Sequence, residues 1–150
     1  MKLLKLVLSK KKQLIFILFI MYTVFVVWMT LLMREPRVTE RVFESRLFWA
    51  FREWIAGADN GKIESFQYLQ NIIFFIPLGF LFPRKKNWWT VACAALFTSV
   101  LIEFTQYVFN LGWCEIDDAV SNTLGALIGF ILWIALEKIY RKYRGESRVS

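Results

Sequence analysis

Four apolar stretches, set apart by charged segments, fix the layout of this chain. Leu14 to Met33 runs for 20 residues without a charge, about 30 Å as a helix and enough to cross the hydrocarbon core of a bilayer. Phe66 to Phe82 is shorter, about 25 Å. It opens on Gln67, Gln70 and Asn71 and carries Pro77 and Gly79. The proline removes a backbone donor and predicts a bend that neighbouring helices must accommodate. The third stretch, Trp88 to Phe109, has Ala92, Ala94 and Ala95 early, for close approach, and Glu103 and Gln106 late. The fourth, Asp118 to Leu136, places Gly125 and Gly129 in a small-x-x-x-small spacing. The pattern predicts an all-α membrane protein with four transmembrane helices, at about 14–33, 66–82, 88–109 and 118–136, in a single domain over 1–150.

The segment between the first two stretches, 34–65, balances six basic residues with six acidic ones. Within it Val42, Phe43, Leu47, Phe48, Phe51, Trp54 and Ile55 recur at near-helical spacing. That spacing predicts a short amphipathic helix in the first external loop, lying on the membrane surface or capping the bundle. Gly57 and the Asp-Asn-Gly run at 59–61 mark its expected end. The first stretch reads as a retained anchor. It is too long for a signal-peptide core, and Leu-Leu-Met-Arg-Glu-Pro at its exit offers no small-x-small cleavage pattern.

Composition agrees with a membrane chain: 57% of residues are hydrophobic, above the usual share of soluble domains. The net charge of +7 matters through its distribution. The two ends and the connection at 84–86 hold 13 basic residues. The other side holds six, all in the acid-balanced loop. The positive-inside rule then puts both termini in the cytoplasm. The absence of histidine removes the commonest general base and imidazole metal ligand. Cys93 and Cys114 form no metal motif. At 21 residues apart near one helix they are about 30 Å from each other, too far for a disulfide. Neither a metal nor a cofactor is expected.

Against this apolar background the polar residues of 103–129 are conspicuous. An Asp at a helix centre in the bilayer costs about 2.5–3.5 kcal/mol on insertion scales. Glu103, Gln106 and Asn110 share one helical face, and Asp118, Asn122, Gly125 and Gly129 share another. With the predicted topology, Asn71, Glu103, Gln106, Asn110, Asp118, Asn122 and Thr123 all fall in outer halves of their helices. Polar groups from three spans then converge near the external surface. That suits an outward-opening site and not a channel, which needs polar lining through its full depth. Glu103 lies deeper in an apolar span and Asp118 nearer water, an asymmetry that lets a carboxylate pair divide acid and base roles. Asp117 and Glu115 read as solvated loop or capping residues.

At these residues the sequence resembles the VanZ-like family of small membrane proteins. The resemblance covers about 71–129. It rests on Asn-Ile-Ile-Phe-Phe-Ile-Pro-Leu-Gly-Phe-Leu-Phe-Pro at 71–83, on Glu103-x-x-Gln106, and on Glu-Ile-Asp-Asp-Ala-Val-Ser-Asn-Thr-Leu-Gly-Ala-Leu-Ile-Gly at 115–129. It brings forward Asn71, Pro77, Gly79, Glu103, Gln106, Asp118, Asn122 and Gly125. The chain departs from the family pattern at Gly112-Trp113, where many members carry a basic residue, and at Glu115, where they carry Asp. The resemblance implies an integral membrane protein associated with reduced sensitivity to teicoplanin-type glycopeptides.

Three functions remain open at this point. One is a binding protein in which Asn71, Glu103, Gln106, Asp118 and Asn122 engage a lipid-linked cell-wall precursor or a lipoglycopeptide. Another is an enzyme acting on an envelope lipid, with Glu103 and Asp118 as catalytic acid and base. The third is a structural protein whose polar stripes only hold helices together. The partners expected are the bilayer and such a lipid-linked ligand, and no nucleic acid.

Overall fold

The computed structural model describes residues 2–33, 41–83 and 87–143. Helix α1 (Lys2–Val27) continues as one turn of π-helix (Trp28–Leu32). A two-residue strand β1 (Phe43–Glu44), a short helix α2 (Trp49–Ile55) and the long helix α3 (Asp59–Leu81) follow. Helix α4 (Trp88–Phe109), strand β2 (Cys114–Glu115) and helix α5 (Ile116–Tyr143) complete the order. Three helical stretches among the described residues are long and apolar enough to cross a membrane: Lys12–Leu32, Trp88–Phe109 and Ile116–Tyr143. The apolar part of α3, Ser65–Leu81, is shorter. Large apolar side chains such as Ile73, Phe97, Phe104 and Ile131 stand exposed on the helix surfaces. That is the arrangement of a membrane protein, whose solvent on those faces is lipid.

The limits of α4 fall where the apolar run places them, because both ends carry a cap. The Asn87 carboxamide accepts the Trp89 N–H at 3.2 Å. At the other end Asn110 turns left-handed at φ 54°, a conformation asparagine tolerates better than most residues. The remaining helices are longer than the hydrophobic pattern alone suggests. α1 begins well before Leu14, α3 at Asp59, and α5 runs on to Tyr143. α3 passes through Pro77 without ending.

The principal contact is between α3 and α5, and it is made backbone to backbone. A methyl group added at Gly79 would run into the Ala126 carbonyl. At Gly125 it would meet the Ile72 carbonyl, and at Gly129 the Ile76 carbonyl. The small-x-x-x-small spacing therefore marks the face on which α5 lies against α3. Val26, Phe75, Leu78 and Ile102 form a core joining α1, α3 and α4. Val91, Ala95, Ala126 and Phe130 join α4 to α5.

The segment before α3 departs from expectation. Residues 34–40 lie outside the described residues, as do the basic connection 84–86 and the tail beyond 143. The helix predicted across 42–55 forms only over Trp49–Ile55. Ahead of it the chain is extended, and β1 pairs in parallel with β2, Phe43 opposite Cys114 and Glu44 opposite Glu115. The Asp-Asn-Gly run at 59–61 starts α3 and does not close α2. Gly61 is buried there, against the backbone of Ala50, Glu53 and Trp54. The turn after α2 falls at Gly57, with φ 88°, as the sequence suggested.

Candidate functional site

The polar stripes of α4 and α5 face each other, and most of their groups find partners in the interior. Asn122 donates through Nδ2 to the Ser99 hydroxyl at 2.7 Å, both side chains buried. One turn nearer the loop end (the end carrying α2 and the β pair), the Glu103 carboxylate accepts the Glu115 N–H at 3.0 Å. Glu115 immediately precedes α5, so Glu103 reaches across from α4 to the N-terminus of the next helix. A carboxylate is favourable at that position, where N–H groups lack intrahelical acceptors. One turn further, Gln106 donates through Nε2 to the Thr30 carbonyl at 3.0 Å. Thr30 lies in the π-helical turn Trp28–Leu32. Asn110 accepts from Arg41 Nε at 3.3 Å, while Arg41 Nη2 donates to the Val108 carbonyl. Ser99, Glu103, Gln106 and Asn110 thus form a ladder down one side of α4.

Among the described residues, the buried Gln106 Oε1 and Asn122 Oδ1 find no hydrogen-bond donor. Asp118 is buried in the first turn of α5. Cys114 sits beside these acids. Burial pushes its thiol above the ordinary value, and the carboxylates of Glu103, Asp118 and Glu115 act in the same direction.

Asp117 and Glu115, expected as solvated, are anchors for the loop. Asp117 is buried and accepts two hydrogen bonds, from the Phe48 N–H at 2.9 Å and the Tyr68 hydroxyl at 2.6 Å. Glu115 accepts the Trp49 indole N–H at 3.0 Å. Both acids thereby fasten the start of α2 to the start of α5. Just past β1, Arg46 donates to Glu44 from its backbone and its guanidinium, which holds the Glu44 carboxyl down to about 2.

Asn71 lies elsewhere. It lines an open cleft of about 770 Å³ at the loop end. The walls come from the π-helical turn, the stretch of α3 from Ile63 to Phe74 and the 111–112 turn after α4. Gln67, Gln70 and Thr30 supply the other polar groups, and Met33, Phe66 and Phe74 much of the apolar wall. The candidate residues therefore divide into two sets. Glu103, Gln106, Asp118 and Asn122 are buried among helices, whereas Asn71 faces a space a ligand can enter. Thr30 joins the two, since its carbonyl receives Gln106 and the residue itself lines the cleft. Ser99 could have been found from sequence, as it continues the α4 stripe one turn inward at a spacing of four. The grouping of Thr30 with Gln67, Gln70 and Asn71 could not, because it depends on how α1 docks on α3.

The VanZ/LLP1 family model matches residues 19–137. The chain belongs to this family. Protein VanZ of Enterococcus faecium is 31% identical over 72 residues, which make up 45% of this chain and 44% of that protein. The match spans less than half the length of that curated relative. No solved structure matches the chain. In this VanZ/LLP1 member the residues carried by the family resemblance have separable physical roles. Gly79 and Gly125 set the α3–α5 approach. Glu103, Gln106 and Asn122 build the ladder between helices, and Asn71 faces the cleft.

Proposed function

We propose that this VanZ/LLP1 member is an accessory protein of teicoplanin-type glycopeptide resistance. In this reading it is one domain spanning the membrane four times, α3 included, with both termini cytoplasmic and the loop-end cleft facing outward. The cleft takes the head of a lipid-linked envelope component or of the lipidated antibiotic. The observation that carries this reading is the cleft itself. It is a roomy space beside lipid-facing surface, with carboxamides from Gln67, Gln70 and Asn71 on its wall. The acids behind it, Glu103 and Asp118, are read as the packing that fixes the cleft walls. Family membership and the partial match to Protein VanZ support the resistance context.

Teicoplanin susceptibility in a sensitive host tests the function. Wild type is expected to protect, and a Gln70→Leu/Asn71→Leu variant at equal membrane level to lose most of that protection. Glu103→Gln keeps the side-chain shape and an oxygen able to accept the Glu115 N–H. It is expected to retain protection, with a stability loss of about 1 kcal/mol. If instead Glu103→Gln folds normally but fails to protect, while the cleft variant protects, acid–base chemistry at Glu103 and Asp118 replaces the binding reading. Topology has its own check. In a background lacking Cys93 and Cys114, a cysteine placed by Ser45→Cys is expected to react with an impermeant maleimide in intact cells. Labelling only after lysis would invert the orientation.

A further inference from the structure

The chemistry of the cleft wall says which kind of headgroup it suits. None of the 11 described residues lining it is charged. Gln67, Gln70 and Asn71 lie three and four apart and share one face of α3. The structure gives their side chains no hydrogen-bond partner among the described residues. Each carboxamide offers two N–H donors beside a carbonyl acceptor. The Thr30 hydroxyl donates to the Val26 carbonyl at 2.8 Å, leaving its oxygen free to accept. Phe66 and Phe74 border these groups on the same helix. A row of neutral donors and acceptors next to apolar ring surface matches a sugar. Each hydroxyl of a sugar both donates and accepts, and its C–H faces are apolar.

The field in the cleft points the same way. Two of its walls are helix C-termini: the π-helical turn that closes α1, and the 111–112 turn after α4. Terminal carbonyls carry partial negative charge and oppose an anion. The helix N-termini and arginine forks that hold phosphates are absent from the described lining. Arg41 stands beyond the α4 end, but its guanidinium is engaged by the Val108 carbonyl and Asn110 and lies over the Tyr107 ring. We propose that the cleft recognises the uncharged glycosyl headgroup of a membrane lipid in preference to a phosphate headgroup. The lipid tail would lie along the exposed apolar surface at Met33 and Ile63. This inference rests on the cleft reading above and narrows its ligand.

The test uses the full chain in phosphatidylcholine nanodiscs doped equally with diglucosyl-diacylglycerol and phosphatidylglycerol, with teicoplanin added to a parallel sample. Lipids that remain bound after transfer to a detergent without a sugar head are counted by native mass spectrometry. Wild type is expected to retain the glycolipid about tenfold over phosphatidylglycerol, the effect of one or two net hydrogen bonds. Gln70→Leu/Asn71→Leu should remove that preference. Gln70→Lys, which adds a cation to the same wall, should shift retention toward phosphatidylglycerol. Wild-type retention of phosphatidylglycerol that the leucine variant abolishes would overturn the headgroup class while leaving the cleft as a lipid site. Teicoplanin retained without glycolipid would also defeat the sugar-lipid proposal alone. Retention of neither lipid nor teicoplanin would remove the cleft reading with it.

Discussion

Gly129→Leu is expected to eliminate folded protein from the membrane, the largest effect of any single change considered for this chain. The reason is geometric. A Cβ at this position would fall on the Ile76 carbonyl and close to the Phe80 N–H, both backbone atoms of α3. A flexible side chain can swing aside from such a clash, but a helix backbone has to translate. Moving α3 away would also open the approaches at Gly79 and Gly125, which lie on the same face. Inserting extra methylenes into a packed core costs about 1–3 kcal/mol where side chains can adjust. Separating two helices forfeits in addition the contacts along their whole seam. Gly57→Ala provides the contrast, because nothing lies within 4 Å of a Cβ there. Its cost is only that of a left-handed residue, about 1–2 kcal/mol. Detergent extraction followed by size-exclusion chromatography distinguishes the two. Gly57→Ala should elute as wild type with a lowered melting temperature, and Gly129→Leu should give aggregate or no protein. A monodisperse Gly129→Leu at wild-type yield would mean that the α3–α5 seam is not what holds the bundle.

One side of that seam was legible from sequence, as the Gly125 and Gly129 spacing on α5, while its partner α3 was not. Small residues at a spacing of four on an apolar helix have little other use than close approach. The α4 limits were legible too, because an asparagine flanks each end of an uninterrupted apolar run. The polar ladder was half legible. Spacing put Glu103 with Gln106 and Asp118 with Asn122, and the structure seats both pairs in the interior. Spacing could not show that Asn71 stands apart from them, since α3 presents that turn to the cleft and not to α4. The loop was misread where local pattern and long-range contact disagree. Phe43, Leu47 and Phe48 recur at helical spacing, yet Phe43 belongs to a strand whose partner lies some 70 residues onward, at Cys114. Charge misled in the same way. Glu115 and Asp117 look solvent-bound in a run of acids, yet Asp117 is buried and Glu115 half-buried, and their donors come from the start of α2 and, for Asp117, also from Tyr68 on α3.

Loss of the Asp117 carboxylate is expected to have the second largest effect, and a localised one. Asp117→Ala removes the acceptor for the Phe48 N–H and the Tyr68 hydroxyl together. Hydrogen bonds to a charged group contribute about 1.5–3 kcal/mol each, and a buried donor left unpaired adds its own penalty. The two bonds alone come to about 3–6 kcal/mol. The cost falls on the junction of β1 and α2, because Phe48 is held there at φ 56°. For a bulky side chain this is an outlier that persists only while its surroundings enforce it. With Asp117 gone, Phe48 should relax toward ordinary backbone angles and carry Trp49 and the start of α2 off α3. Hydrogen exchange should therefore accelerate across 43–55 while α4 and α5 keep wild-type protection. Phe48→Gly tests the mechanism from the other side. The Phe48 side chain is 53% exposed, so its removal sacrifices little packing, and glycine takes the left-handed conformation without penalty. In wild type this change should be neutral or stabilising by up to about 1 kcal/mol. Combined with Asp117→Ala it should return part of the lost protection over 43–55. If Asp117→Ala instead loosened all helices equally, the acid would be holding the bundle as a whole. The loop could then not be treated as a separately fastened cap over the cleft end.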